Sequence, residues 1–107
     1  MIEPMEITDN NFETEVLKSN VPVLLDIWAL WCKPCRALLP IIEELTNEYE
    51  GKVKVGKLDV DNSPEVAANY GIRSVPTLMF FKNGEEVERI IGVVSKQEIS
   101  EKLDMML

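Results

Sequence analysis

The sequence contains no histidine, and its 107 residues include only two cysteines. Without histidine there is no Ser-His-Asp triad, no Cys-His protease pair and no imidazole-ligated zinc. Two cysteines cannot build a four-thiolate metal site from one chain, and they are too few for a disulfide-dense secreted scaffold. Basic residues are scarce as well: 11 Lys and Arg stand against 19 Asp and Glu, a formal net charge of -8. That balance argues against nucleic acid, which selects a basic face, and against an anionic lipid surface. The longest apolar run, Val21 to Cys32, is interrupted by Pro22 and Asp26. It falls short of the roughly 18 residues a membrane span needs. The opening Met1-Ile2-Glu3-Pro4-Met5-Glu6 has neither the basic nor the apolar region of a secretory signal. The expectation is a soluble, cytoplasmic protein with no membrane partner, whose thiols are normally kept reduced.

What is present is the composition of a folded domain, 46% apolar and 28% charged, ordinary for a globular chain. A chain of this length forms most simply one domain and buries about two-thirds of its unfolded surface. No linker, repeat or low-complexity segment divides it, so residues 1–107 are expected to fold as a single unit. Met5 to Thr8 reads as a short strand. Asn10-x-x-Glu13 is placed to cap a helix carrying Phe12, Val16 and Leu17. Pro22 to Ala29 is almost unbroken in its apolar character, as a strand covered on both faces should be.

Pro34 to Glu50 carries Leu38, Leu39, Ile41, Ile42, Leu45 and Tyr49 at helical spacing, with Gly51 at its end and Pro40 inside it, where a kink is expected. Lys52 to Val60 alternates as a strand. Ser63-Pro64 reads as an N-cap followed by a first-turn proline, opening a short helix that ends at Gly71. Thr77–Lys82 and Glu86–Ile91 flank Asn83-Gly84, a strong hairpin signal. Ser95-x-x-Glu98 opens a last helix with Ile99, Leu103 and Met106 on one face. The order β-α-β-α-β-α-β-β-α predicts an α/β fold, one mixed sheet with helices on both faces.

The chemistry concentrates at Trp31-Cys32-Lys33-Pro34-Cys35. A C-x-x-C pair at the strand-to-helix junction of a βαβ unit is a redox signature, although metal clips share the bare spacing. Cys32 falls where unpaired N–H groups and the positive helix end favour a thiolate. Cys35 lies one turn on, placed to act as the resolving thiol, and Pro34 stiffens the first turn. Asp26 interrupts the apolar strand just before the pair. If it faces inward its pKa is raised and it can exchange a proton with a thiol; if it faces outward it is a solvated strand residue. Strand alternation alone does not choose.

The chain resembles the thioredoxin family over nearly its whole length. The resemblance rests on Asp26, Trp28 and Ala29, on Trp31-Cys32-x-Pro34-Cys35, and on Pro40. It continues through Lys57-x-Asp59-x-Asp61, Tyr70-Gly71-Ile72-Arg73-Ser74-Val75-Pro76-Thr77, Asn83-Gly84 and Gly92. It implies a five-stranded mixed sheet flanked by four helices. It implies a protein dithiol–disulfide oxidoreductase in which an exposed Cys32 attacks a substrate disulfide, Cys35 resolves the intermediate, and Asp26, with Lys57 beside it, handles the Cys35 proton. It implies a cis Val75–Pro76 bond whose preceding backbone pairs with substrate. Trp31, Ser74 and Gly92 complete the substrate groove, with Ile72 and Val93 at its rim, and Trp28 packs behind the site.

The implied partners are disulfide-containing proteins and a thioredoxin reductase as electron donor. No cofactor or metal is implied, and a monomer is the default. Two departures stand out. Lys33 occupies a position usually held by Gly in the family, and a cation there favours the Cys32 thiolate and a more oxidising couple. Leu30 adds an apolar residue beside the groove. The competing readings are a disulfide oxidase or isomerase, a metal-holding C-x-x-C module, and an interaction module whose thiols are incidental.

Overall fold

A computed structural model describes residues 2–107. Five strands, β1 (Met5–Glu6), β2 (Val23–Trp28), β3 (Lys54–Asp59), β4 (Thr77–Lys82) and β5 (Glu85–Ile91), form one sheet in the order β1-β3-β2-β4-β5. The first three run parallel, as βαβ connections require, while β4 lies antiparallel to β2 and β5 antiparallel to β4. The helical segments are a single π-type turn (Glu13–Leu17), α1 (Lys33–Glu48), α2 (Pro64–Asn69) and α3 (Lys96–Asp104). None of these helices is long and apolar enough to cross a membrane.

β2 is central, and its alternation sorts two cores. Leu24 packs with Leu38, Ile42 and Leu45 of α1, with Ile99 and Leu103 of α3, and with Leu78 and Phe80 of β4. Val23, Leu25 and Ile27 face the other way, onto Phe12, Val16, Leu58, Val66, Met79 and Phe81. Phe12, Tyr70 and Phe81 meet edge to face at 5.6–5.7 Å, the geometry ring quadrupoles favour. Burial on both faces explains why the β2 sequence reads as an apolar run.

Some elements differ from their sequence expectation. β1 ends at Glu6, and after one further bond from Ile7 N–H to the Lys57 carbonyl the chain turns away. The first helix is one turn, closed by Lys18 N–H on the Glu13 carbonyl. Asn10 does not cap it. Instead the Thr8 hydroxyl and carbonyl accept from the following amides, and Asn11 Oδ1 accepts from Thr8 N–H. Ser63 does not cap α2 with its side chain. Asp9, some 55 positions earlier, does so: its two carboxylate oxygens accept from Glu65 and Val66 N–H at 3.1 and 3.0 Å. Ser63 Oγ accepts from Asp9 N–H, and this fixes that carboxylate in place. α1 runs unbroken past Pro40, which is exposed. The hairpin turn has positive φ at Asn83 and Gly84, as a two-residue primed turn demands. A Cβ on Gly84 would also sit 2.9 Å from the Leu17 carbonyl oxygen.

Candidate functional site

The C-terminal end of β2 delivers Trp28 and Ala29 to a tight turn, closed by Cys32 N–H on the Ala29 carbonyl. Cys32 is the N-cap of α1, with extended backbone, and its Sγ accepts from Cys35 N–H at 3.1 Å. The two cysteines are joined as a disulfide with Cα atoms 5.3 Å apart. The pair therefore sits on the unpaired N–H groups of a 16-residue helix, the position that most favours a thiolate once the bond is reduced.

Cys32 is not exposed as the sequence reading expects. Both cysteines are only 3% accessible. They pack with Ala29 against Trp28, Val60 and Val75, and the Val75 carbonyl oxygen lies 3.7 Å from Cys32 Sγ. The Val75–Pro76 bond is cis. Val75 N–H has no partner among the described residues. Pro76 is held by Gly92 N–H on its carbonyl at 2.9 Å, and the Ser74 carbonyl accepts from Thr77 Oγ1 at 2.7 Å. Gly92, with φ +96, makes this approach in a conformation that other residues resist. Val75, beside the sulfurs, thus keeps an amide free while its neighbours are tied down.

Six positions before Cys32, Asp26 lies on the sheet face covered by α1 and is 1% accessible. Its Oδ1 has no hydrogen-bond partner among the described residues. Burial pushes its pKa from 3.8 up to about 7, against the attraction of Lys57. Lys57 is its register partner on β3, and the Lys57 ammonium lies 5.0 Å from the Trp28 ring centroid. A carboxyl group so placed exchanges its proton near neutral pH.

Above the pair the surface is open and carries exposed apolar side chains among charged ones. Leu30 and Trp31 are each 69% exposed, and Val93 is exposed beside Gly92. Trp31, Ile72, Arg73, Ser74 and Val75 line a shallow cleft of about 170 Å³. A larger concavity of about 490 Å³, bordered by Lys52 and Lys82, lies by the opposite end of β2, away from the sulfurs. A shallow groove with a free backbone amide suits an extended polypeptide better than an enclosed small molecule.

Three residues at the site carry roles the sequence reading did not assign. Asp61 Oδ2 accepts from Trp31 Nε1 at 2.9 Å and fixes the exposed indole. Asp59 Oδ1 holds the backbone of Asp61 in turn. Arg36 reaches back from α1 to donate to the Leu30 carbonyl at 2.9 Å. Asp59 and Asp61 belong to a spaced acidic motif visible in the sequence, but its partner is 30 residues away.

The thioredoxin family profile matches residues 3–105. The chain is 50% identical over 102 residues to thioredoxin 1 of a Nostoc species, covering 95% of each protein. It is 54% identical over 95 residues to a thioredoxin of Rickettsia bellii, covering 89% of this chain and 90% of that one. It is also 50% identical over 102 residues to the chloroplastic M-type thioredoxin of Pisum sativum, covering 95% of this chain and 59% of that protein.

Proposed function

This chain belongs to the thioredoxin family and is a thiol–disulfide oxidoreductase that reduces protein disulfides, and from that premise we propose how its residues divide the work. The reduced Cys32 thiolate, favoured by the α1 terminus, attacks one sulfur of a substrate disulfide. The substrate bond breaks, one substrate thiolate leaves, and a Cys32–substrate mixed disulfide forms. Cys35, its proton taken by Asp26, then attacks Cys32 Sγ. The mixed disulfide breaks, the second substrate thiolate leaves, and the Cys32–Cys35 disulfide closes. Two electrons pass to the substrate, whose thiolates take up the protons.

The buried Asp26 with a free oxygen and a pKa of about 7 carries the proton-transfer role. Lys57 tunes that carboxyl through charge. Val75 pairs its free amide with the substrate backbone, Pro76 and Ser74 shape that strand, and Trp31 and Gly92 form the apolar contact. Pro34 fixes the first turn of α1, and Lys33 biases the couple.

The cycle needs an external two-electron donor, and we assign it to a thioredoxin reductase. A disulfide reductant works where thiols stay reduced, so we place the protein in the cytoplasm as an electron carrier. One chain supplies every group named here, which supports a monomer built as a single domain over residues 1–107. The test is trapping. Cys35→Ser incubated with a disulfide-bonded protein should accumulate a mixed disulfide through Cys32, and Cys32→Ser should accumulate none. Trapping through Cys35 instead would overturn the assignment.

A further inference from the structure

The chain is strongly acidic, yet its unpaired cations are not scattered. Of its 11 Lys and Arg, Lys18, Lys54, Arg89, Lys96 and Lys102 sit in ion pairs with glutamates. Among the described residues the remaining six have no carboxylate within salt-bridge reach. Lys57 sits beside Asp26 and Trp28, and Lys52 and Lys82 border the far concavity. The other three, Lys33, Arg36 and Arg73, are exposed: Lys33 and Arg36 each follow one of the two cysteines, and Arg73 lies two positions before Val75, whose carbonyl is 3.7 Å from Cys32 Sγ.

Lys33 and Arg36 are three apart on the first turn of α1 and so share a side. One guanidinium nitrogen of Arg36 is spent on the Leu30 carbonyl, which leaves the rest of its five-donor fork free. Arg73 lines the cleft with Trp31, Ser74 and Val75. Two carboxylates share the site, Asp61 on the Trp31 indole and Asp59 on the turn that carries Asp61; their partners are neutral N–H groups, so the rim sets three cations against two carboxylates. A polypeptide laid along Val75 with its cysteine at Cys32 runs beside these cations.

We infer that this rim selects protein disulfides flanked by acidic residues, with Arg36 and Arg73 as specificity-determining residues. The inference rests on the disulfide-reductase reading of the same site. Charge complementarity of this kind acts mainly on encounter and register rather than on the chemical step.

The test uses the whole chain, reduced with a small dithiol and freed of excess reductant. It is offered three disulfide peptides identical except for Glu, Gln or Lys beside the cysteines, in single turnover. At low salt, about 10 mM, where charges act over about 30 Å, reduction should run Glu, then Gln, then Lys. The Glu-to-Lys rate ratio should be on the order of tenfold. Near 1 M salt, where screening falls to about 3 Å, the ratio should approach one. Arg73→Gln should cut the low-salt ratio, and Arg36→Gln should do so further. Equal rates for the three peptides at low salt, a salt-independent ratio, or a ratio unmoved by Arg73→Gln would overturn the selectivity while leaving the reductase reading intact. Failure to reduce any of the three would overturn the reductase reading itself.

Discussion

The disulfide lies between two unlike regions. Below it, Asp26 is sealed under α1, with Lys57 and Trp28 half-buried beside it. Above it, Leu30, Trp31 and Val93 stand open to solvent around a free Val75 amide. Desolvation governs the lower region, where a single charge is costly and burial pushes the Asp26 pKa up to about 7. The upper region is governed by contact area and by backbone groups waiting for a partner. On the proposed division of work, proton and electron energetics are set from beneath the sulfurs and the choice of substrate from above. The two can therefore be altered separately.

The largest expected effect falls on the lower region. Unfolded, Asp26 loses its proton near 3.8; folded, near 7. Between those values the folded chain binds the extra proton, so stability falls as pH rises through that window and levels off above it. In the disulfide form neither cysteine titrates, which isolates the effect. Asp26→Asn should lack this slope. Relative to that variant, the unmodified protein should lose roughly 4 kcal/mol between pH 4 and pH 9, read by denaturant unfolding across pH. Parallel curves for the two proteins would mean that Asp26 is not sealed from water.

A smaller effect tests what holds the upper region. α2 leads into the Ile72–Pro76 loop, and its first turn is capped by Asp9. Asp9→Ala should cost about 1–2 kcal/mol, the usual loss for a cap, while Asp9→Asn should retain most of it. Ser63→Ala should cost less than Asp9→Ala, which reverses the order that the local sequence suggests.

The smallest effect lies at the boundary between the regions. Lys33 is exposed at the positive end of α1, so its help to the Cys32 thiolate is screened and partly opposed by the helix. Lys33→Gly should make the couple more reducing by on the order of 10 mV, the equivalent of a weak surface charge interaction. Equilibration against glutathione with thiol trapping measures it. An unchanged potential, or a shift toward oxidising, would overturn this role for Lys33.

Much of the lower region was legible in the sequence because its signals are local. The apolar run of β2, Asp26 within it and the C-x-x-C at the strand-to-helix junction are contiguous, and the Asn83-Gly84 turn names its own geometry. The upper region was less so. The burial of Cys32 depends on Val75, 43 positions on, and the hold on Trp31 depends on Asp61. The Ser63 cap failed for the same reason: a good local acceptor was outcompeted by a carboxylate brought in by the fold. Strand order was not readable, since alternation says which face is buried and not which edges pair.

The central position of β2 has one more consequence. It is bonded along both edges and covered on both faces. Its amides can reach solvent only when the domain opens as a whole, so they should be among the slowest in the chain to exchange with deuterium. The sulfurs hang from the end of that strand, and their repeated making and breaking proceeds without any opening of the segment that supports them.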